Sequence, residues 1–305
     1  MLVWIPFAGG ADLMGPLPDQ VEVRVWDGTE PLPDGAADVE VLVPPWWPKD
    51  AVTHALPTMG SLRLVQMLNA GVDWIVDAVP DGVTLCNAGD VNAVEVAEWV
   101  MAVVLSHQRR LPAFAAAQAR GEWTPDLTPT LRHARVLVLG HGSIGRALVA
   151  MLEPFGAQVT SVARTARPGV EPVERLADLV PDADVLIVVA ALTEGTRGII
   201  DAALLERLPD GALVVNVGRG PIVDTDALLA ELTAGRLHAA LDVTDPEPLP
   251  AGHPLWSAPN LTLTPHVGGG TVNFMGNAFG LVGDQVRALV AGDEVRFRID
   301  PEAYR

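Results

Sequence analysis

Thiol chemistry is almost missing from this chain, which has one cysteine, Cys86. A single thiol closes no intrachain disulfide and builds no thiolate zinc cluster, so no metal centre is expected and a reducing, cytoplasmic setting fits best. Basic residues are scarce: 20 Lys and Arg face 38 Asp and Glu, a formal net charge of −18. That balance argues against nucleic acid, because phosphate binding needs basic patches. No apolar run approaches the roughly 20 residues of a membrane span. The apolar start, Met1 to Gly10, is short and has no basic segment before it, so it reads as a first strand rather than a signal peptide. No internal repeat or low-complexity segment interrupts the chain.

What is present is apolar and regular. Of 305 residues 49% are hydrophobic, enough for two domains with substantial cores. Strand-like runs fall at Leu2 to Phe7, Val21 to Trp26, Val39 to Pro44 and Leu62 to Met67, with a helix expected over Asp50 to Met59. One long helix is expected from Val94 to Leu111. From Arg135 the alternation tightens, with strands at Val136 to Leu139, Gln158 to Ala163, Val185 to Ala190, Leu213 to Val217, His238 to Val243 and Leu261 to Thr264. Between them lie helical patterns such as Asp224 to Ala234, with an Asp start and Gly235 as its stop. Strands alternating with helices imply open parallel sheets. The expected plan is a substrate domain of residues 1–95 and 275–305, and a dinucleotide-binding domain of 96–274. The last helical run, Asn273 to Ala291, would cross back to the first domain.

The most informative stretch is RVLVLGHGSIGR, residues 135–146. An apolar strand enters Gly140, Gly142 and Gly145 and a helix follows, which is the strand–turn–helix context of a dinucleotide fingerprint. The first glycine permits the turn and the second lets backbone approach a pyrophosphate. The third lets helix and strand pack, and the helix start at Ser143 and Ile144 attracts phosphate. Taken alone, the motif leaves flavin- and S-adenosylmethionine-binding domains open. An acidic residue about 20 positions further on usually binds the adenosine ribose. Here that position is Ala163, followed by Arg164, Thr165, Ala166 and Arg167. Two arginines and a hydroxyl suit a 2′-phosphate and no carboxylate repels it, so NADP is expected ahead of NAD. Solvated loop arginines would explain Arg164 and Arg167 but not the missing acid.

Three later segments each end a strand: NVGRGPIVD (216–224), LDVTDPEPLP (241–250) and LTPHVGGGT (263–271). The carboxyl ends of parallel strands line the ligand crevice, so one arginine, one glutamate and one histidine should converge there. Arg219 can clamp a carboxylate and polarise a carbonyl. His266 can deliver a proton as hydride arrives, and Glu247 can orient that imidazole and favour its charged form. Together they suit reduction of a 2-keto acid. The bland alternatives are a strand cap for Arg219, a solvated charge for Glu247 and a structural imidazole for His266. His141 reads as structural, Asp242 could be a strand-end acid that only bonds backbone, and Trp46 and Trp47 either shape a pocket or simply pack.

In the order GHGSIG, LTEGTRGII, NVGRGPIVD, ALDVTDPEPLP, HPLW and PNLTLTPHVGG, the sequence resembles the D-2-hydroxyacid dehydrogenase family from about Leu62 onward. The resemblance implies an α/β fold of two open parallel-sheet domains, a Rossmann dinucleotide-binding domain and a smaller flavodoxin-like substrate domain. It gives the chemistry to Arg219, Glu247 and His266, and a nicotinamide contact to Asp242. It adds Thr196, Val217, Gly218, Gly268 and Gly269 as cofactor contacts, and the loop at Asn69, Ala70 and Gly71 as the grip on the substrate carboxylate. It also implies a homodimer and closure of the two domains on a small 2-keto or 2-hydroxy acid. Alanine at 163 resembles the NADPH-preferring glyoxylate/hydroxypyruvate reductase branch. Departures are Ala191 in place of a usual Pro, Thr244 in place of a bulky residue, and Val272, Asn273, Phe274 and Met275 where the closing helix often begins with a charged segment. Phosphoglycerate, erythronate or phosphite dehydrogenase on the same scaffold, or a non-catalytic nucleotide-sensing co-regulator, are the rival readings.

Overall fold

The computed structural model describes residues 1–304 and divides into two compact units, residues 1–92 with 272–305 and residues 93–271. Each is built on a parallel sheet, as the alternation requires. The first unit contains β1 (Leu2–Ile5), β2 (Glu22–Val25), β3 (Val39–Leu42), β4 (Leu64–Gln66) and β5 (Thr84–Cys86), in spatial order β2-β1-β3-β4-β5. The second contains β6 (Arg135–Leu139), β7 (Gln158–Ala163), β8 (Val170–Pro172), β9 (Val185–Val188), β10 (Leu213–Asn216), β11 (His238–Leu241) and β12 (Leu261–Leu263). Its order is β12-β11-β10-β9-β6-β7-β8. The two-sheet α/β architecture expected from the pattern is therefore the one observed.

Burial follows the strand composition. The central strands β9 and β10 are buried along their whole length, as parallel strands covered on both faces must be. The edge strand β2 is mostly exposed and carries Glu22 and Arg24. In the second unit the core splits across the sheet, with Leu137, Leu139, Leu186 and Val188 on one face and Val136, Val138, Val185 and Ile187 on the other. In the first unit the helix Phe274–Ala291 lays Phe279, Val282 and Val286 on Val3, Ile5 and Val41. No helix among the described residues is long and apolar enough to cross a membrane.

Several boundaries depart from the periodicity. The helix expected over Val94 to Leu111 runs Ala93–Gln108; the chain then turns at Arg110 (φ 49°) and starts a second helix, Leu111–Ala119. Pro112 explains the break, since proline has no N–H to give and suits the first turn of a new helix. The helix expected over Asp50 to Met59 stops at Ala55, and Leu56–Thr58 tightens to a 3-10 turn around Pro57. The short strands β5 and β8 have no counterpart among the expected runs; β8 is Val-Glu-Pro, which forms no apolar run. The helix Thr225–Thr233 keeps its expected start, with Asp224 Oδ1 accepting from the Ala227 N–H at 2.9 Å.

Candidate active site

The glycine loop has the shape its sequence asks for. Gly140 has φ 111°, and a Cβ there would stand 2.7 Å from the Ala190 nitrogen. A Cβ on Gly145 would lie 2.2 Å from the Gly140 carbonyl oxygen, so only glycine lets the helix Ser143–Leu152 sit this close to β6. At Gly142, the residue before the helix, an added Cβ meets no atom within 4 Å. Backbone open on that side, at the start of a ten-residue helix, fits a dinucleotide pyrophosphate. Ser143 opens the helix and Ile144 packs on the core beneath it.

The turn after β7 lies against this loop. Arg167 donates from Nη2 to the His141 carbonyl oxygen at 2.7 Å. The His141 imidazole is held below the usual histidine range, first by burial and then by the charges of Arg167 and Arg146. Ala163 ends the strand, and Arg164 and Thr165 lie exposed in the turn. Thr196 keeps its hydroxyl within its own loop, accepting from the Thr193 N–H at 2.8 Å and bonding the Ala191 carbonyl at 2.7 Å.

Arg219, Glu247 and His266 stand on three loops that follow β10, β11 and β12. Asn216, at the end of β10 and buried, shapes the first loop: its Oδ1 accepts from the Gly218 N–H at 3.0 Å and its Nδ2 donates to the Arg219 carbonyl at 2.9 Å. Val217, between them, packs into the core, and Arg219 donates from Nη1 to the Gly218 carbonyl at 2.8 Å. The second loop passes so close that a Cβ on Gly220 would meet the Thr244 carbonyl oxygen at 2.0 Å. Thr244 is buried and donates to the Pro246 carbonyl at 2.8 Å, a contact the bulky residue usual there could not make by the same hydroxyl.

The decisive distance is 2.6 Å, between His266 Nδ1 and Glu247 Oε1. Burial alone would raise the Glu247 pKa, but hydrogen bonding to His266 and the charges of His266 and Arg219 outweigh it and hold the carboxyl below its ordinary range. Arg219 therefore acts on the same acid that His266 touches. With Nδ1 engaged, Nε2 is the imidazole nitrogen left for another partner.

Asp242 holds this arrangement from beneath. It is 4% exposed, and its carboxylate accepts from Thr264 Oγ1 at 2.6 Å and from the N–H groups of Val267 and Gly268, each at 2.8 Å. The His266 N–H donates to the Asp242 carbonyl at 2.8 Å, which fixes the residue with φ 55°. Both Asp242 oxygens thus serve the histidine loop, which continues through Gly269. In the first unit, Asn69, Ala70 and Gly71 follow β4. Asn87 Nδ2 donates to the Ala70 carbonyl at 2.9 Å, and the Ala88 N–H to the Asn69 carbonyl at 3.0 Å. The Ala70 and Gly71 N–H groups find no acceptor among the described residues, and Asn69 Oδ1 is buried without a partner. Asn216 and Asn87 are not singled out by the sequence; the available signal is Asn two positions before Gly at the end of a strand, which permits an Asx turn.

Residues 101–268 match the D-isomer specific 2-hydroxyacid dehydrogenase family over its NAD binding domain. The chain belongs to that family. It is 36% identical over 231 residues to a glyoxylate/hydroxypyruvate reductase B of Citrobacter koseri, covering 71% of each chain. A D-isomer specific 2-hydroxyacid dehydrogenase of Xanthobacter autotrophicus Py2, solved with NADPH and MES, superposes with a TM-score of 0.87 at 31% identity, over 100% of this chain and 99% of that one. An NADPH-dependent glyoxylate/hydroxypyruvate reductase of Sinorhizobium meliloti, solved with NADP and sulfate, gives 0.86 at 26% identity, over 100% and 99%. Within the family's nucleotide-binding unit, the loops carrying Arg219, Glu247 and His266 are the ones brought together here.

Proposed function

We propose that this dehydrogenase reduces a small 2-keto acid of the glyoxylate or hydroxypyruvate type to the D-2-hydroxy acid, and that it uses NADPH ahead of NADH. The observation that carries the proposal is the His266–Glu247 pair at 2.6 Å, with the Arg219 charge acting on the same carboxylate. The nicotinamide, when bound, supplies the hydride. Arg219 binds the keto acid through its carboxylate and polarises the carbonyl. His266 holds a proton at Nε2 and passes it to the carbonyl oxygen, which becomes the hydroxyl. Glu247 stays ionised, fixes which imidazole nitrogen faces outward and offsets the charge of the ring while it carries that proton. Solvent restores the proton after product leaves, so one proton is consumed for each NADPH oxidised.

Cofactor choice rests on Ala163, where an acid would bind the ribose hydroxyl of NAD, and on Arg164 and Arg167 beside it. Gly140, Gly142, Ser143, Ile144 and Gly145 would hold the pyrophosphate. Asp242 acts here by holding the loop of His266, Gly268 and Gly269. A panel of 2-keto acids with NADPH and NADH, followed by absorbance, tests both parts. Turnover of glyoxylate or hydroxypyruvate with a higher kcat/KM for NADPH is expected. Tight NADPH binding without turnover of any 2-keto acid would leave the nucleotide-sensing reading in its place.

A further inference from the structure

Lys49 is the only lysine in the chain, and the fold gives no reason for its position. It opens the helix Lys49–Ala55, the end at which a cation gains nothing from the aligned peptide dipoles. The chain carries 38 carboxylate side chains, yet no ion pair to this ammonium forms among the described residues. Two indoles hold it instead. Nζ lies 4.7 Å from the centroid of the Trp47 ring and 5.7 Å from that of Trp74, both within range of the attraction between a cation and a ring face. Trp47 stays 59% exposed. A clamp of this kind positions the charge without neutralising it, and leaves it to be met by an anion.

The place in the sheet says what kind of anion. Trp47 and Lys49 follow β3, and Trp74 follows β4, the neighbouring strand. Both segments lie past the carboxyl ends of parallel strands, the edge at which open sheets bind ligands. The same edge carries Asn69, Ala70 and Gly71, with two N–H groups lacking acceptors and the buried Asn69 Oδ1 lacking a donor. A molecule with one carboxylate on those N–H groups and a second acidic group reaching Lys49 would use both features of this edge, its methylene spacer lying along indole. We propose that Lys49, held by Trp47 and Trp74, is an anion subsite for the distal carboxylate or phosphate of a dianionic 2-keto acid. This rests on the reductase reading above and narrows its substrate class. Lys49 binds and orients; it takes part in no bond change.

The test compares the full-length enzyme with Lys49→Met, which keeps the stem and removes the charge, and with Lys49→Arg. The quantity read is the ratio of kcat/KM for a dianion over that for glyoxylate, with oxaloacetate, 2-oxoglutarate and phosphohydroxypyruvate as dianions. The last separates a phosphate preference from a carboxylate one. K49M should lower that ratio about tenfold to a hundredfold, through KM, as loss of a charge-assisted contact does. K49R should restore most of it, and the wild-type ratio should fall as salt is raised. A ratio unmoved by K49M overturns the proposal. Indole fluorescence titrated with 2-oxoglutarate reads binding without turnover. Should no 2-keto acid be reduced, the reductase reading fails, and the titration alone decides the subsite: saturable quenching in wild type that is lost in K49M supports it, and identical titrations refute it.

Discussion

Acid should loosen the second unit through a histidine pair at the start of β11, the end opposite the loop that carries Glu247. His107 lies in the last turn of the helix Ala93–Gln108 and His238 begins β11; their rings meet edge to face with centroids 4.6 Å apart. Burial first, then the charges of His238 and Arg110, push the His107 pKa from 6.5 down to about 4, and His238 is lowered as well, by burial and Arg110. A folded-state pKa below the unfolded value means that the unfolded chain binds the proton more tightly. The contribution to stability is then complete above pH 6.5 and is lost as pH falls from 6.5 toward 4. Each tenfold difference in proton affinity between the two states is worth about 1.4 kcal/mol, so His107 alone costs about 2 kcal/mol at pH 5 and about 3 kcal/mol at pH 4. Urea denaturation at pH 7, 6 and 5, compared between wild type and His107→Gln, reads this directly. The variant starts less stable but should lose about 2 kcal/mol less than wild type over that interval. Parallel losses in the two proteins would refute the reasoning.

His266→Ala should lower kcat by about a hundredfold or more while NADPH binding, read by cofactor fluorescence, is retained; wild-type turnover would remove His266 from the mechanism. Glu247 is held below the ordinary carboxylate range, so its support of His266 is in place at neutral pH and is lost only as pH falls through that lowered value. Glu247→Gln should therefore depress kcat across the neutral range, and an unaltered pH–rate profile would count against the pair. Ala163→Asp combined with Arg164→Ala and Arg167→Ala should move the kcat/KM ratio toward NADH. It should also weaken NADPH binding beyond the lost charge, because Arg167 holds the His141 carbonyl. Asn216→Ala removes two hydrogen bonds, one buried and one half-buried, at the base of the Arg219 loop and should cost about 1–3 kcal/mol in thermal unfolding. In the same variant the KM for the keto acid should rise while NADPH affinity stays.

The sheets are readable because parallel strands buried on both faces are written as unbroken apolar runs. Val136 to Leu139 and Val185 to Val188 are of this kind, four apolar residues each and rich in valine. Three-residue strands such as Thr84–Cys86 and Val170–Pro172 are set by their neighbours in the ladder, which composition does not record. The long helix misleads for a related reason. Val94 to Leu111 is mostly apolar, and only the proline at 112 marks the turn at Arg110 that splits it from Leu111–Ala119.

At the site, the side chains we propose for the chemistry are visible in the sequence, while the holding role of Asn216 is not, and that of Asp242 is only one of the two readings an acid there allows. Arg219, Glu247 and His266 carry side chains whose acid–base or ionic character announces them wherever they fall. Asn216 and Asp242 act through geometry, by turning carbonyls and N–H groups of their own loops inward, and that role exists only once the loops have a path. Asp242 is the clearest case. An acid at the end of a strand beside a nucleotide site invites a ligand contact, yet three donors of its own chain converge on it at 2.6 to 2.8 Å. Buried oxygens left without donors would cost stability, and here each has at least one. By collecting them from Thr264, Val267 and Gly268 it fixes the backbone on both sides of His266, and so sets the direction of the imidazole that Glu247 then grips.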